Sequence, residues 1–388
     1  MVNFNNTEIA FKQKSTSDLN TSYWLFKIIG WNWLISIGPA VLDVLLPLWF
    51  PIPIIKATIF RQFCGGESIE DCDKTIISLG SKNVKTILDY SVEGKEDEPV
   101  FDANVKEALK ALQVAKSNPL IPFSVFKVTG FGRFALLEKI NAKKELTPQE
   151  KEEFERITNR INTICETAHN VDVPVFIDAE ETWIQDVIDD LALEMMRKFN
   201  KEKAIVYNTA QLYRWDRIEY LKKLLSIAEK EDFFIGIKLV RGAYIEKERE
   251  RAQEMGYKDP MQKDKKSTDK DFNLALKLCV ENINRIATCC GTHNEESSTY
   301  LIELMNQHNI AIDDERIYFA QLLGMSDHIS MNLSAANFNV AKYVPYGPVK
   351  DVTPYLIRRA QENTSVAGQT SRELSLILQE KARRKIRG

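Results

Sequence analysis

The chain lacks the residue patterns on which disulfide-stabilised, metal-binding and nucleic-acid-binding proteins depend. Its six cysteines are spread over 388 residues without a Cys-x-x-Cys pair, which predicts free thiols in a reducing compartment such as the cytoplasm. Its four histidines show no metal-ligand spacing, so no metal site is expected. The net charge of −3, without a basic and aromatic motif, gives no reason to expect a nucleic-acid partner.

The chain also lacks an uninterrupted apolar run long enough to cross a membrane. Residues 31–55 are strongly apolar, but four prolines and one aspartate interrupt them, and a spanning helix needs about 20 apolar residues. Proline removes backbone donors that lipid cannot replace. We therefore expect short helices packed on the domain, with a membrane-surface patch as the second interpretation.

These features, and the absence of a secretory signal among the first residues, predict a cytoplasmic protein. Peripheral attachment to a membrane is the alternative. The surface would be the inner face of the cytoplasmic membrane in a bacterium, or the matrix side of the inner membrane in a mitochondrion. Neither the oligomeric state nor the source organism is predicted.

From residue 84 onward, short β-rich runs alternate with longer amphipathic runs. The predicted strands are 84–90, 123–129, 173–178, 204–207, 234–240, 286–292, 316–321 and 340–344. The predicted helices are 101–117, 149–170, 181–200, 212–230, 269–285, 294–308, 322–330 and 351–363. Near-continuous apolar strands separated by helices are typical of a parallel sheet covered by helices, and eight such units predict an α/β fold of the (βα)8 TIM-barrel type.

This pattern divides the chain into three predicted parts. Residues 1–83 form an N-terminal helical arm that contains the apolar, Pro-interrupted segment, residues 84–370 form the barrel, and residues 371–388 form a basic C-terminal tail. The charged run 246–270 is expected to form an exposed helix and a loop near one mouth of the barrel.

Functional residues of such barrels lie at the C-terminal ends of the strands, where this chain places several charged and polar side chains. Lys127 and Lys238 interrupt otherwise apolar strands, and Asp178 ends the third strand. A charged group inside a barrel is costly unless it is paired or binds a ligand. The residues leave three interpretations open: a structural pair with Asp178, a Schiff-base lysine as in an aldolase, and a site for an anionic ligand.

The last predicted helix carries two adjacent arginines. Tyr355, Arg358, Arg359 and Glu362 stand at positions i, i+3, i+4 and i+7, so they share one side of the helix. They could form a solvated face with an Arg358–Glu362 pair, or a clamp in which both guanidinium groups bind a carboxylate. The cations at the strand ends favour the clamp, because a non-enzymatic barrel would leave this clustered charge unexplained.

Several motifs together resemble the proline dehydrogenase family over residues 57–370. They are FCGGES at 63–68, DAEET at 178–182, KLVRGAY at 238–244, GTHN at 291–294, QLLGM at 321–325, YVPYG at 343–347 and YLIRRAQENTS at 355–365. The resemblance implies a distorted (βα)8 barrel, closed at its active-site end by the last helix, that holds non-covalent FAD. It also implies oxidation of L-proline to Δ1-pyrroline-5-carboxylate by hydride transfer to the flavin, with electrons passed to a membrane quinone. That reaction is the first step of proline degradation to glutamate, and the type of quinone is not predicted.

The resemblance also assigns residues to roles. It implies that the catalytic set, which includes three cations for the proline carboxylate, is Lys127, Asp178, Tyr343, Tyr355, Arg358 and Arg359. Leu239, Tyr244 and Leu322 would complete the substrate pocket. The positions expected to contact FAD are Gln211, Lys238, Arg241, Gly242, Ala243, Thr292, His293, Glu362 and Ser365.

Three details refine the resemblance. Lys238 stands where many bacterial members have Arg, which places the chain in the mitochondrial-like branch, and Ile245 replaces a Trp of bifunctional members. A second catalytic domain does not follow the barrel, so a monofunctional enzyme is expected. A hydroxyproline dehydrogenase on the same fold is the nearest alternative, and Tyr343 argues against it because members acting on hydroxyproline tend to have a smaller residue there.

Overall fold

Eight parallel strands form a closed barrel in the structure, a computed structural model that describes residues 2–12, 14–29, 56–92, 96–353, 355–356 and 369–387. The strands follow each other around the barrel in chain order, and the first pairs with the eighth. Their bounds are β1 Lys85–Tyr90, β2 Phe123–Lys127, β3 Val175–Asp178, β4 Val206–Gln211, β5 Ile235–Val240, β6 Ile286–Gly291, β7 Ile317–Leu322 and β8 Val340–Tyr346. The predicted α/β barrel is therefore confirmed.

Helices cover the outside of the barrel and continue before and after it. Those of the N-terminal part are α1 Thr7–Ala10, α2 Thr16–Ile29, α3 Arg61–Phe63 and α4 Asp73–Gly80. Those of the barrel are α5 Glu98–Ser117, α6 Phe134–Asn141, α7 Pro148–Val171, α8 Thr182–Phe199, α9 Arg217–Glu231, α10 Ile245–Met255, α11 Lys265–Glu281, α12 Glu295–Gln307 and α13 Asp327–Ala335. Residues 351–353 and 355–356 are helical, and α14 Gln369–Arg387 is the last described helix.

Two predicted boundaries were wrong for identifiable reasons. The fourth strand continues to Gln211 because its polar residues find partners: Asn208 donates to Asp189, and Thr209 donates to the carbonyl of Ile177. The helix predicted at 322–330 begins only at Asp327. Gly324 and Ser326 have φ angles of 76° and 50°, and this left-handed backbone keeps the preceding loop out of the helix.

The interior of the barrel divides into an aromatic floor and a polar upper end. Phe123 stacks on Phe176 with ring centroids 4.5 Å apart, and Tyr207 and Tyr318 meet Phe123 edge-on. Gly236 leaves room for the Tyr207 ring, because a Cβ there would lie 2.5 Å from that ring. Outward-facing residues of the same strands pack against the helices in a separate core. The polar groups of the barrel interior therefore lie above this aromatic layer, at the C-terminal ends of the strands, which we call the upper end.

The first and last described helices pack against each other beside the barrel. Phe11, Leu19 and Phe26 of the N-terminal part form a buried cluster with Leu376 and Ile377 of α14. Arg384 donates hydrogen bonds of 2.8 and 2.7 Å to the carbonyls of Phe11 and Lys14. None of the helices in the described ranges is both long enough and apolar enough to span a bilayer. The apolar segment 31–55 lies outside those ranges.

Gly324→Ala should destabilise the protein more than Gly256→Ala does. Both residues have positive φ (76° and 71°), where an L-residue costs about 1–2 kcal/mol. A Cβ at Gly324 would lie 2.2 Å from the carbonyl oxygen of Gln62, whereas nothing lies within 4 Å of a Cβ at Gly256. We expect roughly 1–3 kcal/mol of additional loss at Gly324. Urea unfolding of both variants measures the difference, and equal losses would contradict the proposed contact with Gln62.

Candidate active site

The sheet register brings the charged strand residues together at the C-terminal end of the barrel. Lys127 of β2 lies directly beside Asp178 of β3, and Thr209 of β4 lies beside Lys238 of β5. Tyr343 of β8 lies beside Leu322 of β7 and Ile87 of β1. Because side chains of a strand alternate between its two faces, these pairings place Lys127, Asp178, Lys238 and Tyr343 on the inner face at nearly one level.

Lys238 is the central group of this layer. Its side chain is 6% exposed, and its ammonium group forms an ion pair with Asp178. It also donates a 2.6 Å hydrogen bond to the hydroxyl of Tyr343, which itself lies 3.3 Å from Asp178. The ammonium nitrogen lies 5.3 Å from the centre of the Phe176 ring, so the aromatic floor supports it from below. This ion pair compensates the charge that the barrel interior would otherwise reject.

Lys127 has an acidic neighbour that the sequence did not reveal. Its ammonium nitrogen lies 3.8 Å from Asp89 of β1, and Asp89 accepts a 2.7 Å hydrogen bond from the Ser91 hydroxyl. Burial opposes the charged form of Lys127, but Asp89 and Asp178 outweigh it and raise the pKa of Lys127 well above its usual value. Lys127 is therefore a permanent cation. A Schiff-base lysine needs a lowered pKa to act as a nucleophile, so this geometry disfavours Lys127 as the lysine of an aldolase.

A cavity of about 670 Å³ opens above this layer. Its lining includes thirteen of the residues predicted from the sequence: Lys127, Asp178, Gln211, Lys238, Arg241, Gly242, Ala243, Tyr244, Thr292, His293, Leu322, Tyr343 and Tyr355. Those predicted to contact substrate lie on β2, β3, β7 and β8 and in the loops after β5 and β8. Those predicted to contact the cofactor lie on β4, β5, β6 and their loops. The volume suits a ligand of at least drug size.

The β5–β6 side of this cavity is held rigidly by hydrogen bonds. Arg241 donates to Asp269, to the Thr292 hydroxyl at 2.6 Å and to the Ser297 hydroxyl at 3.0 Å. The Nδ1 atom of His293 lies 2.9 Å from the hydroxyl oxygen of Ser326. The orientation of each side chain is therefore fixed by residues of neighbouring helices and loops.

Gly242 shapes the same side of the cavity. Its φ is 126°, and a Cβ there would lie 2.5 Å from the ring of Tyr213. Only glycine fits both the backbone conformation and the buried tyrosine, which lets the chain turn sharply between β5 and Tyr244. The backbone of Gly242 and Ala243 consequently lies at the cavity wall without a bulky side chain in front of it.

The structure does not bring all predicted site residues together. Leu239 is fully buried and packs in the outer core between the sheet and the helices, so its side chain does not line the cavity. Alternation along β5 explains this, since Lys238 faces inward and its neighbour must face outward. Lys342, the neighbour of Tyr343 in β8, also faces outward and lies 3.1 Å from Asp327. Four predicted residues lie outside the described ranges: Arg358, Arg359, Glu362 and Ser365.

Other residues of the site were missed by sequence reasoning. Asp89 could have been found, because it is the only acid in β1 and stands next to the last residue of that strand. Glu180, in the loop after β3, is 4% exposed and accepts two hydrogen bonds from Thr129. Ser326 contacts His293 across 33 positions of sequence, and no local pattern announces such a contact.

Known proteins are similar to this chain in sequence and in fold. The family model described as "Proline dehydrogenase" matches residues 72–372. The chain is 31% identical to "Proline dehydrogenase 1, mitochondrial" of Dictyostelium discoideum over 428 aligned residues, covering 98% of this chain and 74% of that protein. It is 33% identical to "Carbapenem antibiotics biosynthesis protein CarD" of Pectobacterium carotovorum subsp. carotovorum, covering 84% of each. It is 40% identical to the mitochondrial protein of Drosophila melanogaster, covering 63% of this chain but only 37% of that one.

Among solved structures, proline utilization A from Bdellovibrio bacteriovorus, inactivated by N-propargylglycine, has a similar fold. Its TM-score is 0.72 at 20% identity, over 82% of this chain and 35% of that longer one. The fold and cavity define an α/β barrel with a ligand site at the C-terminal ends of its strands. With the family model matching most of its length, the chain belongs to the proline dehydrogenase family. The predictions of this family and of a proline dehydrogenase enzyme are thereby confirmed.

Glu180→Gln should flatten the dependence of stability on pH. Burial raises the pKa of Glu180 to about 7, although the hydrogen bonds from Thr129 favour its carboxylate. The folded protein therefore binds more protons than the unfolded chain between the ordinary pKa of a glutamate and pH 7, and stability falls as pH rises through that window. The loss amounts to roughly 3 kcal/mol for wild type.

Glutamine cannot ionise, so the variant should not show this loss. The free energy of unfolding in urea, measured for both proteins between about pH 5 and pH 8, tests the expectation. Parallel pH profiles for the two proteins would show that Glu180 does not titrate in this window.

Proposed function

We propose that this chain oxidises L-proline to Δ1-pyrroline-5-carboxylate with a non-covalently bound FAD and passes the electrons to a membrane quinone. One observation carries the proposal. In this member of the proline dehydrogenase family, a single cavity is lined by a permanent cation, an apolar wall and a separate polar wall. Each of these three parts suits a different portion of the reactants.

The permanent cation suits the carboxylate of an amino acid. Lys127 keeps its charge at physiological pH because of Asp89, and it lies at the cavity end bounded by Tyr355. Arg358 and Arg359 follow Tyr355 by three and four positions, so a continued helix would present both toward the same end. Three cations on one carboxylate would fix one end of the substrate, which is the positioning that hydride transfer requires.

The apolar wall suits the ring of proline. Leu322 packs in a cluster with Tyr355 and Met325, and the Tyr343 side chain approaches from β8. Tyr343 is held in place by its hydrogen bond to Lys238, so it presents a fixed surface rather than an adaptable one. We propose that these side chains hold the ring carbon next to the nitrogen against the reacting partner and exclude water from it.

The polar wall fits FAD. A pyrophosphate is anionic and a flavin edge carries hydrogen-bond acceptors. This wall offers the Thr292 hydroxyl, the cations Arg241 and Lys265, which share Asp269, and the cation Arg372, which pairs with Glu295. The Gly242–Ala243 backbone leaves space that a larger residue would fill. When bound there, the flavin supplies hydride acceptance. Lys238 would face its ring from the barrel interior, and Gln211, His293, Glu362 and Ser365 are the further proposed contacts.

The acceptor and the location follow from the same proposal. A quinone that resides in a membrane can oxidise the enzyme only at the membrane surface. We therefore propose peripheral attachment to the inner face of a bacterial cytoplasmic membrane, or to the matrix side of the mitochondrial inner membrane. The proposed reaction would open the degradation of proline to glutamate.

Anaerobic addition of L-proline to the FAD-loaded protein should bleach the flavin absorbance. Lys127→Met should reduce kcat/KM for proline by about 30- to 1000-fold, because loss of one partner of a charge-assisted contact costs roughly 2–4 kcal/mol. Lys127→Arg, which retains the charge, is the matched control and should lose less. A flavin that stays oxidised with proline but is reduced by another amine would refute the substrate.

Tyr343→Ser should shift selectivity toward trans-4-hydroxyproline. Tyr343 is 7% exposed and fills the cavity wall, and a hydroxyl pressed against such a wall loses hydrogen bonds worth about 1–3 kcal/mol. Serine makes room and offers a polar partner, while the lost packing weakens the use of proline. The ratio of kcat/KM for the two substrates decides the matter. An unchanged ratio would mean that Tyr343 does not face the substrate ring.

A further inference from the structure

Two large apolar side chains are exposed on neighbouring helices at the side of the barrel. Trp24 of α2 is 57% exposed, and Leu378 of α14 is 50% exposed. The two helices pack together through Leu19, Phe26, Leu376 and Ile377, whose burial holds the exposed pair on a common rigid support. Because the two helices are packed together, these two exposed side chains belong to one apolar surface.

Lysines lie around the exposed aromatic group. The Lys27 ammonium nitrogen lies 5.0 Å from the centre of the Trp24 ring and 5.7 Å from that of Tyr23. The Lys381 nitrogen, from the other helix, lies 4.9 Å from the Tyr23 ring, which meets Trp24 edge-on at 5.6 Å. Tyr23 therefore links the cations and rings of both helices into one continuous patch.

The patch continues along α14 without an acidic residue. Leu374, Leu378, Lys381 and Lys385 follow each other at helical spacing on one side of α14. Its exposed described residues are Ser375, Leu378, Gln379, Ala382 and Lys385, and both glutamates of the helix, Glu373 and Glu380, are buried. On α2, Asp18 is the only acid, and it already accepts hydrogen bonds from Ser15. The exposed surface is therefore apolar at its centre and positive around it.

This chemistry matches the surface of an anionic bilayer. Tryptophan and leucine partition into the boundary between headgroups and acyl chains, and lysines beside them reach the lipid phosphates. The lysines Lys27, Lys381 and Lys385 around the apolar centre add attraction to anionic lipid. The chain also leaves α2 at Ile29 and continues directly into the apolar segment 31–55, which carries three further tryptophans.

We propose that the patch formed by Trp24, Lys27, Leu378, Lys381 and Lys385 is the surface through which this chain docks on anionic membranes. The proposal rests on the proposed function only in that a membrane quinone requires contact with the bilayer. Binding to vesicles needs neither proline nor an acceptor. Proline oxidation with a soluble quinone analogue needs no membrane, so the two proposals can fail separately.

Sedimentation with vesicles tests the patch. The full chain should bind vesicles of equimolar phosphatidylcholine and phosphatidylglycerol and should bind pure phosphatidylcholine much more weakly. A Lys27→Gln, Lys381→Gln, Lys385→Gln variant should lose about 100-fold in affinity, because each lysine near an anionic surface contributes about fivefold. Trp24→Ser with Leu378→Ser should also weaken binding.

The matched control uses another exposed tryptophan beneath a lysine. Trp215 is 48% exposed, and the Lys258 nitrogen lies 3.9 Å from its ring, but it belongs to the loop between β4 and α9. Trp215→Ser with Lys258→Gln should bind vesicles as wild type does. Equal binding by wild type and both patch variants would overturn the proposal. Equal loss in the control would show non-specific charge attraction and overturn it as well.

A fluorescent probe tests the placement directly. All six native cysteines are buried, so Leu378→Cys offers a selectively reactive thiol, and Leu274→Cys, at a site 43% exposed on α11, is the control. A polarity-sensitive dye should shift to the blue at position 378 when anionic vesicles are added, and should not shift at 274. A dye at 378 that is already blue-shifted without vesicles would mean that part of the protein covers the patch, which also overturns the proposal.

Discussion

Burial of the Lys238 ammonium group at the centre of the barrel is the constraint on which the site depends. A charge in that position is tolerated only because Asp178 neutralises it and Tyr343 and Phe176 surround it. Loss of one partner would leave the other charge uncompensated in an apolar interior. The ion pair with Asp178 and the hydrogen bond to Tyr343 therefore join β3, β5 and β8 at one level of the barrel. They also separate the aromatic floor from the polar cavity above. Lys127 can then be held by Asp89 as a cation available to a ligand, because Asp178 is already paired.

The network that holds this cavity extends well beyond the barrel. Lys342 donates to the carbonyls of Leu322 and Met325 and pairs with Asp327, which also pairs with Lys14 of the N-terminal part. Burial alone would raise the pKa of Asp327, yet the two lysines hold it far below its usual range. Glu373 of α14 accepts a hydrogen bond of 2.5 Å from the backbone of Ser326, beside His293. The loop after β7 is thus held by groups from both ends of the chain.

The sequence revealed site residues where a functional side chain interrupts the pattern of its strand. Lys127 and Lys238 stood out because a lysine has no place in an apolar strand, and the barrel followed from eight repeats of strand and helix. Leu239 was misplaced because a motif names neighbouring residues together, whereas a strand turns them to opposite faces. Ser326 and Glu373 could not be found, because the contact of Ser326 with His293 spans 33 positions and that with Glu373 spans 47. Such contacts are set by tertiary packing, which leaves no periodicity in the chain.

The packing of α14 on α1 and α2 also imposes an order on folding. Arg384 reaches the carbonyl of Phe11 across 373 positions, so the contact cannot form until nearly the whole described chain has been synthesised. At ordinary rates of translation this delay is on the order of 20–75 s. During that time Phe11, Leu19 and Phe26 have no α14 to cover them, and their apolar surface is open to chaperones or to other nascent chains. The helix that completes this small core therefore packs late in synthesis, and yields of the folded protein should depend on how well the early segment is protected until then.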